Sequence, residues 1–414
     1  METIHTKPIL SYWNLFFKIL SWSSIFTKKL SMSKNKKGIL IVTPFFSPNI
    51  GGVETHLDDL VSALDEQGYR VFVQTYSPIT TKVTSWKAHE RSGNEINITR
   101  YAWFGEKLFH KLEKFPIFGF LYLTPYLFIR SFFFMITNAP KVDVIHAQGL
   151  NAGIIGIVLK LIFRKRFIIS LHAVYANIDK NGFSGFATRL ILNNAEVVLG
   201  MSKAVNNQFA QYGIGKNRLN EYRYWVDIER FKPMGMNEAR KKLNIEDRFT
   251  VLFVGRLITI KGIKLLVEVA RELKHLQFLF VGAGPLEDFL KSASKQFSNI
   301  HFLGQVQNTD LPIYYNSADL LCIPSLYEEA LGRVTLEAVA CGIPVVGSNK
   351  GGILEVMTNE ISVLVQPTHK ILKETIVRLS ENQNGLKILK ANCRPHALKF
   401  FSKDSIKLIT KHYL

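Results

Sequence analysis

From Lys36 onward the chain keeps one rhythm: a short run of Val, Ile, Leu and Phe, a longer amphipathic stretch, then another short run. That alternation constrains the fold more than any other feature. G-I-L-I-V-T-P-F-F (Gly38–Phe46), Y-R-V-F-V-Q-T-Y (Tyr69–Tyr76), V-D-V-I-H-A-Q (Val142–Gln148), R-F-I-I-S-L-H-A (Arg166–Ala173) and A-E-V-V-L-G-M-S (Ala195–Ser202) are apolar runs bounded by polar or turn residues. Such runs predict strands buried on both faces, as in parallel sheets covered by helices. Thr55–Gly68 has helical spacing and ends on a glycine stop, and another helix is expected from Ser202. The repeated strand–helix–strand order predicts an α/β fold.

The rhythm breaks near Phe231-Lys232-Pro233 and restarts. F-T-V-L-F-V-G-R (Phe249–Arg256), Q-F-L-F-V-G-A-G (Gln277–Gly284), S-N-I-H-F-L-G-Q (Ser298–Gln305), A-D-L-L-C-I-P-S (Ala318–Ser325) and I-P-V-V-G-S (Ile343–Ser348) are the strands of a second unit. Two α/β domains are expected, over residues 36–228 and 229–398, joined around 225–236. Residues 399–414 end in a basic amphipathic stretch, expected to form a helix that packs back toward the first domain. Residues 1–35 are an aromatic and basic extension. In open α/β sheets ligands bind beyond the carboxyl ends of the strands. The residues just after each strand are therefore the ones that carry chemistry.

After the strand Val251–Val254 comes G-R-L-I-T-I-K-G, which sets Arg256 and Lys261 on a glycine-rich turn between Gly255 and Gly262. Two cations there suit a diphosphate, since Arg grips two oxygens and Lys supplies a point charge; a solvated basic turn has the same composition. After Gln277–Val281 comes G-A-G-P-L-E, with Gly282 and Gly284. It lacks the third glycine of the dinucleotide fingerprint, but glycines at a strand end permit close approach of a nucleotide to backbone. After Ala318–Ile323 comes E-E-A-L-G-R-V-T-L-E-A-V-A-C-G-I-P-V-V (Glu328–Val346), in which Glu329 and Glu337 are separated by seven residues.

This last stretch, with G-R-L-I-T-I-K-G and G-A-G-P upstream, resembles the nucleotide-sugar site of glycosyltransferase family 4, the large retaining group with the GT-B fold. P-N-I-G-G-V-E-T-H (Pro48–His56) is similar to the family's glycine-rich acceptor-side loop, and the strand ending at His172 also fits. The resemblance spans about residues 38–414. It implies two Rossmann-like α/β/α domains facing across a nucleotide-sugar cleft. It also implies roles. Glu337 accepts hydrogen bonds from the two ribose hydroxyls, for which a carboxylate has the acceptor capacity. Glu329 holds hydroxyls of the transferred sugar. Arg256 and Lys261 neutralise the leaving diphosphate, helped by backbone N–H groups at Leu331 and Gly332. His172 lies near the donor sugar, and Gly51, Gly52, Gly255, Gly282 and Gly284 line the nucleotide. No metal site is implied, and no D-x-D triplet occurs. The implied function is retaining transfer of a sugar from a UDP- or GDP-sugar to a glycan or lipid-linked acceptor in surface polysaccharide or lipopolysaccharide synthesis. A nucleotide-sugar 2-epimerase of the same fold and a non-catalytic membrane-associated subunit are the alternatives. The chain departs from the family's pattern at Tyr224-Trp225, where Asn-Gly is common, at Glu328, and at Arg333, where an apolar residue is frequent. Arg333 either adds charge near the phosphates or faces solvent.

The balance of 52 Lys and Arg against 33 Asp and Glu, a formal charge of +19, favours anionic partners. No nucleic-acid-binding signature accompanies it, so phosphorylated substrates and an anionic membrane surface are the expected ones. Three cysteines without a C-x-x-C are expected to be small core residues of a chain in a reducing compartment. Two aromatic stretches bear on the membrane. Ile9–Phe26 is either an interface helix or a surface-packed extension. Phe115–Thr137 is long enough to span a bilayer but is interrupted by prolines, a glycine and Arg130, so a buried helix after an apolar loop is expected. The expected location is cytoplasmic, peripheral on the inner face of the cytoplasmic membrane.

Overall fold

A computed structural model describes residues 36–414, apart from 82, 84, 106, 107, 113, 114, 174–178, 216 and 330. The expected interface helix at Ile9–Phe26 lies outside the described residues.

The apolar runs become the strands of two sheets. The first contains β1 (Gly38–Val42), β2 (Arg70–Tyr76), β3 (His89–Ser92), β4 (Ile96–Tyr101), β5 (Val144–Gln148), β6 (Arg166–Leu171), β7 (Val197–Gly200) and β8 (Leu219–Glu221), in the order β3-β4-β2-β1-β5-β6-β7-β8. Its pairs are parallel except the β3–β4 hairpin. The second contains β9 (Thr250–Val254), β10 (Gln277–Val281), β11 (Ile300–Gly304), β12 (Leu320–Ile323), β13 (Val345–Ser348) and β14 (Ser362–Val365), in the order β11-β10-β9-β12-β13-β14, all parallel. β1, β9 and β10 are buried at every position. Their unbroken Val, Ile, Leu and Phe content follows from helices on both faces. The strands that carry no such run lie toward the sheet edges, where one side is open: polar His89–Ser92, alternating Ile96–Tyr101, and short β8 and β14.

Helices connect the strands as the spacing requires. Gly52–Glu66 buries His56, Leu57, Leu60, Val61 and Leu64 against the sheet. It ends before Gly68, whose N–H donates to Asp65 O with φ at +84°. Ser202 caps the helix Lys203–Ala210 by accepting from Val205 N. All three cysteines are buried.

The aromatic stretch after Phe115 differs from expectation at its start. Pro116–Leu123 is helical rather than a loop, and a second helix, Pro125–Asn138, follows at once. By length and composition Ile117–Lys141 could cross a membrane. Leu127, Ser131 and Met135 nevertheless pack inward, while Ile117, Phe118, Leu121, Ile129, Phe133 and Ile136 are each 47% exposed or more.

The chain crosses between domains twice. Val226 N donates to Phe401 O (3.0 Å), and Arg394, on the long helix Gln383–Phe400, donates to Phe231 O (2.7 Å) and Ile228 O (2.8 Å). Beyond Ser402 the expected single helix is only a 3-10 turn, Lys403–Ile406, and the four-residue helix Lys407–Thr410. This tail lies on the first domain: Tyr413 OH is 2.6 Å from His146 Nδ1, Lys37 Nζ donates to Tyr413 O, and Lys403 pairs with Glu66.

Candidate active site

The loops leaving the carboxyl ends of both sheets meet. The loop after β1 leads to Gly51-Gly52, and a Cβ on Gly52 would lie 3.8 Å from that of Arg333 in the second domain. Arg333 NH2 donates to Asp59 Oδ2 on the helix Gly52–Glu66 (2.5 Å). Glu355, beyond β13, accepts from Lys203 N (2.7 Å) and Ala204 N (2.9 Å), the first amides of the helix after β7. A carboxylate there satisfies otherwise orphaned N–H groups and complements the helix dipole.

Glu329 and Lys261 form the first centre. Gly262 has φ +73°, and a Cβ on it would lie 2.0 Å from Pro324 O. Only glycine lets the Thr259–Lys261 turn rest so closely on the loop after β12. That approach brings Lys261 Nζ to 2.5 Å from Glu329 Oε1. Ser325 Oγ donates to the same oxygen (2.5 Å) and Tyr327 OH to Oε2 (3.2 Å). Burial pulls the Lys261 pKa down, but Glu329 and Tyr327 outweigh it and hold the ammonium above its usual range. Lys261 is thus a fixed cation at a strand end. Arg256, after β9, is exposed, and its charge reaches the buried Glu54. Burial raises the Glu54 carboxyl despite that cation.

The glycines after β9 and β10 thin the wall here. A Cβ on Gly282 would lie 1.9 Å from Gly255 O. Their amides are engaged within the domain: Gly255 N donates to Val281 O, Gly282 N to Gly304 O, and Gly284 N to Glu287 Oε1. Gly51 is in extended backbone, and a Cβ there would meet the Glu54 carboxylate at 2.3 Å.

Glu337 is the second centre. Gly332 caps the helix Arg333–Ala340, Leu331 is buried just before it, and Glu337 is the fifth helical residue. It is 2% exposed. Oε1 accepts from Arg333 Nε (3.0 Å) and Asn308 Nδ2 (3.3 Å), and Oε2 from Tyr315 OH (2.8 Å). Burial raises its pKa against the opposing pull of Arg333, Tyr315 and Asn308. Arg333 neither faces solvent nor stands free for phosphate. Its side chain is 4% exposed and also donates to Trp225 O (3.3 Å).

His172 closes the first-domain side. It is 8% exposed. Nε2 is 2.8 Å from Gln148 Oε1, and Nδ1 is 2.7 Å from Tyr224 OH and 3.0 Å from Tyr222 OH. Burial lowers its pKa to about 3. His56 stacks on Tyr224 with centroids 3.9 Å apart and meets Trp225 edge-on. The Tyr224-Trp225 departure therefore walls His172 and supplies a carbonyl to Arg333. Residues that motif reading missed are Asp59, Gln148, Tyr222, Asn308, Tyr315, Ser325 and Tyr327. Ser325 and Tyr327 precede Glu329 at even spacing; the others come from distant strands, helices and loops and leave no local signal.

Comparison with known proteins gives the family and the fold. The family model described as Glycosyltransferase Family 4 matches residues 50–230, and that described as Glycosyl transferases group 1 matches residues 235–397. The chain belongs to glycosyltransferase family 4. It is 26% identical over 394 residues to an uncharacterized glycosyltransferase of Methanocaldococcus jannaschii, covering 89% of this chain and 96% of that one. It is 23% identical over 350 residues to the phosphatidylinositol N-acetylglucosaminyltransferase GPI3 subunit of Saccharomyces cerevisiae, covering 80% and 72%. Among solved structures, Anabaena HepE in complex with UDP and glucose superposes with TM-score 0.69 at 20% identity over 90% of this chain and 98% of that one. The fold is GT-B, and this glycosyltransferase carries its buried Glu337–Arg333 pair where the two domains meet, with the Glu329–Lys261 pair on the preceding loop of the second domain.

Proposed function

We propose that this glycosyltransferase moves a sugar from a UDP- or GDP-sugar, with retention and without a metal ion, to a lipid-linked or glycan acceptor at an anionic membrane surface. One observation carries the donor reading. The two carboxylates of the E-x7-E stretch are held at the ends of one short segment, Glu329 against the Lys261 cation and Glu337 under Asn308. Three of the roughly four lone-pair sites of Glu337 are occupied. Departure of Asn308, the longest of the three contacts, leaves two sites for a vicinal diol. Lys261 and Arg256 take the charge that develops on the leaving diphosphate. Glu329 orients sugar hydroxyls beside His172, and Leu331 and Gly332 lead into the helix that meets the nucleotide. Gly51, Gly52, Gly255, Gly282 and Gly284 give the donor close access to backbone. The UDP and glucose in the Anabaena structure support a nucleotide-sugar donor. The exposed apolar face of the first domain and the +19 charge support a membrane-borne acceptor, and surface polysaccharide or lipopolysaccharide synthesis is the process such an acceptor serves.

The deciding experiment is a thermal-shift titration with UDP, GDP, ADP and NAD. A nucleotide that binds only the folded state raises the melting temperature, by about 2.7 kcal/mol of stabilisation at a hundredfold excess over Kd. UDP or GDP is expected to do so for the wild type and not for Glu337→Ala. A response to NAD alone contradicts the proposal.

A further inference from the structure

Arg333 is the one described side chain that hydrogen-bonds the second domain, the first domain and the connecting segment together: Nε reaches Glu337, NH2 reaches Asp59, and NH1 reaches Trp225 O. Asp59 belongs to the helix that follows the Gly51-Gly52 loop and touches Glu337 only through this guanidinium. A planar guanidinium fixes the directions of all three bonds at once. Buried ion pairs of this kind are weak sources of stability, because desolvation offsets the attraction. The triad therefore calls for a role other than holding the fold.

We propose that Arg333 is a positioning residue which couples recognition of the donor's ribose at Glu337 to closure of the first domain through Asp59. The inference rests on the donor-site reading above. With the domains together, Asp59 and Trp225 O hold the guanidinium, the guanidinium holds Glu337 Oε1, and Tyr315 holds Oε2. Only Asn308 then has to leave for the carboxylate to offer two acceptor sites in a fixed plane. With the domains apart, Asp59 is withdrawn and Arg333 keeps a single carboxylate partner. The guanidinium that holds Oε1 then loses its anchor in the first domain, although Tyr315 still holds Oε2. A nucleotide that binds the oriented carboxylate better must favour closure, and closure must strengthen nucleotide binding by the same factor. Glu355, seated on the amides of Lys203 and Ala204, is a second contact between the domains. It adds to closure without touching Glu337.

The test is calorimetric titration of the full chain with UDP and GDP, with small-angle scattering before and after nucleotide. Asp59→Asn keeps the size of the side chain and removes its charge. It is expected to weaken binding of the nucleotide that the wild type prefers by about tenfold, within the usual range of coupling between sites. It should also reduce the contraction seen on adding nucleotide. Asp59→Glu, longer but still charged, should bind more tightly than Asp59→Asn. A merely steric role predicts the reverse order, because Asn is the closer match in shape. Wild-type affinity and scattering in Asp59→Asn, or tighter binding by Asn than by Glu, overturns the coupling and leaves the donor site standing. A wild type that binds neither nucleotide overturns both.

Discussion

Burial decides how the first-domain histidines behave. His56, His146 and His172 lie inside the first domain, and burial drives the pKa of each down, to about 3 for His146 and His172. His146 shows the consequence most directly because it sits apart from the donor loops, held by Tyr413 OH (2.6 Å) and Ser170 Oγ (2.8 Å). Below pH 6.5 the unfolded chain takes up a proton at this histidine while the folded chain does not, until pH nears 3. Stability is therefore lost as pH falls through that window. His146→Gln should be less stable than wild type at pH 7.5, and the gap should narrow by about 2 kcal/mol at pH 5. Urea unfolding at the two pH values reads this; a constant gap would mean that His146 protonates within the folded protein. Other buried groups oppose the trend. Asp58 is raised by burial to about 6, so it weakens folding as pH climbs from 3.8 to 6. The comparison of variant with wild type isolates the histidine.

Among the elements, the pair Pro116–Leu123 and Pro125–Asn138 is the most informative. Pro125 has no N–H, and the chain breaks its helical course there. Tyr76, reaching up from β2, fills the break: its hydroxyl donates to Leu123 O (2.9 Å) and accepts from Leu127 N (2.9 Å). Its ring stacks with Trp103, which stacks in turn on Tyr126. One phenol thus bridges Leu123 O and Leu127 N, an i, i+4 backbone pair that the break separates, and fastens both helices to the sheet. Tyr76→Phe keeps the ring and removes the oxygen. It should cost about 1–3 kcal/mol, since two buried backbone groups lose their partner. The urea midpoint should fall without a change in nucleotide-induced thermal shift. An unchanged midpoint would show that the helices are held by ring packing alone.

At the scale of the whole molecule, charge and apolar surface set how this glycosyltransferase meets its surroundings. Phe133 and Ile136 stand one turn apart on Pro125–Asn138, 62% and 53% exposed, beside the exposed face of Pro116–Leu123. A helix whose inward face is packed and whose outward face is also apolar suits an interface with lipid. Replacing Phe133 and Ile136 together by Asp should lower co-sedimentation with vesicles containing anionic lipid. The thermal shift with nucleotide should be preserved, because both side chains lie outside the donor loops. Equal sedimentation of variant and wild type would remove this face from the membrane reading.

The alternation of apolar runs with amphipathic stretches was enough to read two parallel-sheet domains, because strands buried on both faces admit few other side chains. Lys261 could be singled out as a cation on a turn after a strand, and Glu329 and Glu337 through the family resemblance of their stretch. They sit on short segments directly after strands, and the spacing within each segment is covalent. Tertiary structure decided the rest. Nothing local to Arg333 shows that it is buried against Asp59, 274 positions away. Tyr224-Trp225 looked like a departure in a hinge and proved to wall His172, because β6 and the segment after β8 converge only in the folded sheet. Pro116–Leu123 read as a loop from its prolines and glycine, yet it is helical, with Pro116 at the first helical position and Tyr76 securing its far end. Sequence determines which segments can be buried; which buried groups become partners depends on contacts that close only when distant segments meet.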